Sequence, residues 1–191
     1  ALAVLLGRGW LRMAVEAVAL VFATRVVLSP FPSAFLSLSA FLPTIYVLIL
    51  VALVLYLTYR RVQARTVRIS RGKRSLAVQI GAGSGIGLAI GIIEYFVLKP
   101  KPIIVGASFL QTVVYILIVL VVMVGVVEEL LFRGLFQTSL ERVMPAWQAI
   151  GVVSVIFGLM HIGWMNPLEV LLAYGAGVAF GCMAVATDSL I

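Results

Sequence analysis

Charge is scarce in this sequence. Of its 191 residues, 11% are Asp, Glu, Lys or Arg, where a soluble domain carries about a quarter. Histidine, cysteine and asparagine occur once each, as His161, Cys182 and Asn166. One cysteine excludes an intrachain disulfide, and in an apolar run Cys182 reads as a small core residue. One histidine excludes the His-Glu-x-x-His helix of zinc proteases. The run Gly81-Ala82-Gly83-Ser84-Gly85-Ile86-Gly87 lacks the third glycine of the dinucleotide fingerprint and follows no strand, which excludes that use. The first apolar run lacks the basic start, short apolar core and small-residue cleavage site of a signal peptide. It therefore reads as a spanning helix, with residues expected before Ala1.

Hydrocarbon is what the chain has in excess: 63% of residues are hydrophobic and the mean hydropathy is +1.21. A water-soluble globule of this size cannot hide that much apolar surface. The expected fold class is all-α, a polytopic transmembrane helical bundle forming one integral-membrane domain over residues 1–191. Its length allows about six spanning helices of about 20 residues each. The apolar runs predict helices over 11–28, 41–59, 76–98, from 109 onward through 127 into the polar stretch that follows, 147–161, and from 167 to beyond 185. The last is still apolar in pattern at Ile191. In the first helix Glu16 and Arg25 lie about 14 Å apart along the axis, which suits opposite interfaces better than a pair. In the third, glycines four apart (Gly81/Gly85, Gly83/Gly87, Gly87/Gly91) let another helix approach and mark a candidate apolar groove. Glu94, late in that helix, reads as interfacial or functional.

The net charge of +7 is not spread as a nucleic-acid surface would require. Half of the basic residues (Arg60, Arg61, Arg65, Arg68, Arg71, Lys73 and Arg74) fall in the loop 60–74. In a membrane protein this excess marks the cytoplasmic side, and it suits anionic headgroups. The expected partners are thus the lipid bilayer and no nucleic acid. The turn at Arg142 falls on the same side, and Lys99 and Lys101 on the other.

Against this background, Val127-Glu128-Glu129-Leu130-Leu131-Phe132-Arg133-Gly134 stands out. Charges at membrane depth cost roughly 2.5–3.5 kcal/mol each, and a purely structural helix gains nothing from them. Glu129 and Arg133, four apart, share a helix face and can pair. Glu128 is turned about 100° from Glu129 and can face another neighbour. Glu128 and His161 are equidistant from a turn at Met144 and Pro145, so an antiparallel hairpin brings them to one depth, about 20 Å from the turn. Glu129 with Arg133 also fits an interfacial salt bridge, and a lone His161 fits a satisfied core residue. Two carboxylates and an imidazole are plausible zinc ligands, but without a second histidine zinc is not favoured and no cofactor is expected.

Glu128-Glu129-x-x-x-Arg133 followed by Phe157-Gly158-Leu159-Met160-His161 resembles the first two motifs of the CAAX prenyl protease and bacteriocin-processing family, which includes the type II CAAX endopeptidase. Gly134, Gln137 and Ala186-Thr187-Asp188-Ser189-Leu190 also fit that family's usual run. The family-like core is about 109–191, and the earlier residues match only as generic membrane helices. The resemblance implies an intramembrane, glutamate-dependent endopeptidase acting on a peptide or prenylated protein substrate. In it Glu128 would activate water, His161 would hold that water and handle protons, and Glu129 and Arg133 would shape and polarise the site. It leaves open a catalytically silent member acting as a scaffold or bacteriocin-immunity factor. The family's third motif, a His followed four residues later by Asn and thought to stabilise the oxyanion, has no counterpart up to Ile191. Either it lies further on, which is the expectation, or the donors are lacking, and losing one such donor costs about 100–1,000-fold in rate.

Overall fold

The computed structural model describes residues 9–28, 38–99 and 108–190. The expectations for residues before Gly9, for Ser29 to Pro32 and for Lys101 lie outside the described residues, as does the side chain of Arg25. Among the described residues the chain forms six helices and no strand. They are α1 (Gly9–Leu28), α2 (Leu38–Tyr59), α3 (Leu76–Leu98), α4 (Phe109–Glu141), α5 (Ala146–Met160) and α6 (Pro167–Thr187).

Local chemistry explains the boundaries. Ser75 caps α3 by accepting the Val78 N–H, and Lys99 closes it in the left-handed conformation (φ 46°). Ser108 and Gln111 form a reciprocal capping box at the start of α4, which satisfies two of the helix's orphan donors. Pro145 precedes α5, and Asn166 with Pro167 starts α6, both favoured helix entries.

Six helices form as expected, and among the described residues four of them, α2, α3, α4 and α6, are long and apolar enough to cross a membrane. Helix α1 carries Arg12, Glu16 and Arg25 within its 20 residues. Helix α5 has only 15 residues, about 22 Å against a hydrocarbon core of about 30 Å. A 3₁₀ turn, Ile162–Trp164, extends the α5 arm. Large apolar side chains such as Leu55, Leu88, Leu110 and Leu171 face outward, as a lipid-facing surface requires. Exposed Tyr59 and Trp147 lie towards one end of the bundle and Tyr95, Phe96 and Phe109 towards the other, the distribution of two aromatic belts. Cys182 is exposed, not a core residue as expected; it stands beside buried Gly181, on the outward side of α6.

Between membrane helices the hydrophobic effect gives little, and close packing at small residues replaces it. Helices α5 and α6 pack antiparallel through such contacts. A Cβ at Gly177 would lie 2.9 Å from Ser154 Cα, and one at Gly158 would lie 2.9 Å from the Val170 carbonyl oxygen. Gly177→Leu is therefore expected to force the pair apart and lower the thermal unfolding midpoint in detergent. Gly175→Leu, where a Cβ meets nothing within 4 Å, is the control and should leave it nearly unchanged.

The loop 60–74, the α4–α5 turn and the end of α6 meet at one end. Buried Arg68 reaches Glu141 (2.6 Å) and Asp188 (3.6 Å). Lys73 N–H donates to the Thr187 carbonyl, Ser189 Oγ to the Ser70 carbonyl, and Leu190 N–H to the Arg68 carbonyl. Helix α6 thus ends at Thr187, with Asp188 left-handed (φ 56°), and does not run on towards Ile191 as the apolar pattern suggested. At the same end Glu16 holds Arg12, Arg60 and the Tyr56 hydroxyl, and Arg142 stacks over Trp10.

Candidate active site

The polar stretch of α4 is not regular α-helix. Residues Ile116–Val124 and Glu129–Gln137 are π-helical, with an α-helical turn, Gly125–Glu128, between them. Such widened turns occur often at functional sites. Nearly all of Leu130 to Gln137 is buried, so this segment forms the centre of the bundle.

Arg133 is fully buried. Its Nη1 lies 2.8 Å from Glu129 Oε1, an ion pair rather than a well-aligned hydrogen bond. Its Nη2 donates weakly to the Ala176 carbonyl at 3.5 Å. The guanidinium lies 4.7 Å from the Phe157 ring centroid and 5.7 Å from that of Phe180, within cation–π range. A planar, weakly hydrated guanidinium tolerates this setting better than an ammonium. The pairing of Glu129 with Arg133 read from their spacing is present.

Glu128 turns to another helix, where the Tyr46 hydroxyl of α2 donates to its Oε1 at 2.9 Å. His161 ends α5 rather than lying within it, in the bridge region of backbone space (φ −90°, ψ 0°). Its Nδ1 lies 2.9 Å from the Phe157 carbonyl oxygen. A carbonyl can only accept, so Nδ1 carries the proton, and in the neutral ring Nε2 keeps its lone pair. Phe157 is the hub. Its ring meets His161 and Phe132, each at 4.9 Å between centroids, as well as Arg133. His161, Arg133 and Glu94 all lie within electrostatic reach of Glu128.

The four residues singled out by sequence thus share one region. Glu129 and Arg133 touch, Arg133 and His161 flank one phenyl ring, and Glu128 lies within electrostatic reach of His161. Sequence reading missed Tyr46 and Glu169. A tyrosine in an apolar helix carries no special signal, and an acid in the first turn of a helix has an ordinary explanation in the helix dipole. Among the described residues no group of three or more His, Cys, Asp or Glu side chains is arranged to hold a metal ion.

Beside the site lies an apolar cavity of about 330 Å³ between α1 and α2, lined by Leu20, Ala23, Ile45, Leu48 and Leu131 among others. The Thr24 hydroxyl on its wall is occupied by the Val21 carbonyl. The candidate groove on the glycine face of α3 is less enclosed. A Cβ at Gly83 or Gly87 would only graze Met183 or Phe180, and one at Gly81, Gly85 or Gly91 would meet nothing within 4 Å.

Fold and site together define an integral-membrane helical protein with a glutamate–arginine–histidine centre enclosed by its helices. Residues 110–191, which hold all four site residues, match the family model described as type II CAAX prenyl endopeptidase Rce1-like. The match covers α4 to α6, the stretch in which the sequence motifs lie. No curated protein and no solved structure matches the chain. Proteolysis is the activity that this family implies.

Proposed function

We propose that this protein is an intramembrane endopeptidase in which Glu128 activates water to hydrolyse a peptide bond of a C-terminally prenylated substrate. The observation that carries the reading is the pairing of two differently held groups, a carboxylate and an imidazole, at one level of the bundle. Glu128 takes a proton from water as the water oxygen bonds to the scissile carbonyl carbon. The tetrahedral intermediate then collapses with cleavage of the C–N bond, and the same proton passes to the leaving amine. His161, its Nδ1 tied to the Phe157 carbonyl, offers Nε2 to the attacking water. Arg133 and Glu129 supply a fixed, buried dipole at the site's edge, the kind of preorganised charge that favours a charged transition state. The cavity suits the prenyl chain. Ile45 and Leu131 line it, and Ile45 adjoins Tyr46 while Leu131 lies one turn from Glu128.

The basic end of the bundle faces the cytoplasm in this reading, because Lys and Arg collect on that side. Glu128 then lies about 20 Å from that end of α4.

A silent family member is the second reading. Cleavage of a prenylated CAAX-type peptide by the purified protein separates the two. Cleavage that depends on Glu128 supports the endopeptidase; its absence on every prenylated peptide supports the silent member. Full activity is expected after exhaustive chelation, and loss that added zinc restores would replace the glutamate mechanism with a metal-dependent one.

A further inference from the structure

Three helix pairings fix the level of the groups around His161. Along antiparallel α5 and α6, Ile150 meets Gly181, Ser154 meets Gly177, and Gly158 meets Val170 and Tyr174. One more step in that register sets His161 opposite Glu169. Along α3 and α6, Gly83 meets Met183 and Gly87 meets Phe180, and two further turns bring Glu94 to within about a turn of Glu169. Along α4 and α5, Phe132 and Arg133 pack on Phe157, and one more turn on each arm brings Glu128 level with His161. Four helices thus place Glu94, Glu128, His161 and Glu169 in one layer. Their mutual influence agrees, since the imidazole acts on all three carboxylates.

Glu169 is the unexplained member. It is only 3% exposed, and its Oε2 is buried without a hydrogen-bond partner. Although it is the third residue of α6, the cap is made by Asn166 with Leu168 N–H. A carboxyl group so enclosed either keeps a proton or faces a compensating cation, and His161 is the one cation-forming group acting on it.

We propose that Glu169 is a positioning residue of the site: from α6 it stabilises the positive charge that develops on His161 as Nε2 draws on the attacking water, while Glu128 faces the ring from α4. Glu94 adds a weaker contribution from α3. The inference rests on the proposed role of His161, but its test does not depend on cleavage.

¹⁵N-histidine labelling of the protein in detergent, with the His161 signals assigned by their loss in His161→Gln, reports its imidazole. The imidazolium-to-imidazole ratio is to be measured against pH in wild type, Glu169→Gln, Glu94→Gln and Glu128→Gln. Arg133, the cation beside Phe157, stays unchanged throughout. Glu169→Gln is expected to lower the ratio about tenfold at a fixed pH, the effect of one strong carboxylate neighbour. Glu94→Gln should lower it less, in the same direction. In the cleavage assay Glu169→Gln should reduce kcat with little change in KM, as for an interaction made only in the transition state. Superimposable titrations of wild type and Glu169→Gln would overturn the proposal. If Glu169→Gln does not fold, Glu94→Gln decides, and an unchanged ratio there overturns it. Changed titrations without Glu128-dependent cleavage would sink the protease reading and leave this inference standing.

Discussion

Glu128→Gln is expected to slow cleavage of a prenylated peptide by about 100- to 10,000-fold, the range for removing a general base. The substitution replaces one carboxylate oxygen by an amide nitrogen and changes little else. The amide oxygen can still accept the Tyr46 hydroxyl that Glu128 Oε1 accepts at 2.9 Å, so the contact between α2 and α4 is retained. An amide also removes a half-buried charge, so the unfolding midpoint should hold or rise. What is lost is the capacity to take a proton from water. Measuring kcat/KM together with the unfolding midpoint separates the two effects, and cleavage at the wild-type rate by well-folded Glu128→Gln would exclude Glu128 as the base.

Arg133→Met should do the reverse, with stability as the principal loss. Truncating one partner of a buried ion pair costs about 3–5 kcal/mol because the other charge is left uncompensated. The side chain of Glu129 is 26% exposed, which places the expected loss at the lower end of that range. Methionine fills much of the space between Phe157 and Phe180, so the lost volume adds little. The double variant Glu129→Gln/Arg133→Met should therefore be more stable than Arg133→Met alone, since no charge is then stranded. Thermal unfolding of both variants in one detergent checks the order. A double variant less stable than the single would show that Glu129 does not depend on Arg133 for charge compensation.

The parts of this protein that follow from short-range chemistry were readable from sequence. The bounds of α3 were legible because Ser75 caps one end and the apolar run stops at Lys99. The Glu129–Arg133 pair was legible because four-residue spacing puts both on one face. The approach of His161 to Glu128 was legible as hairpin register, and the ring of Phe157 that links this region was already part of the second motif. Less local features were not. Widened π turns in α4 arise from packing that no propensity records. The role of Tyr46 depends on where α2 lies, 82 positions away along the chain from Glu128. Glu169 has a sufficient local explanation as a first-turn acid, which conceals the register that sets it against His161. The end of α6 at Thr187 is imposed by the loop 60–74, whose carbonyls and amides capture residues 187 to 190.

That capture implies an order of events during synthesis. Ser70 and Ser189 are 119 positions apart, so at about 5–20 residues per second the loop waits roughly 6–24 seconds for its final partners. Arg68 passes most of that interval with neither Glu141 nor Asp188 available. The same guanidinium then becomes a buried fastening once Glu141 and Asp188 arrive. A single arginine thus waits through most of synthesis before it closes the bundle as a clasp between the loop, the α4–α5 turn and the end of α6.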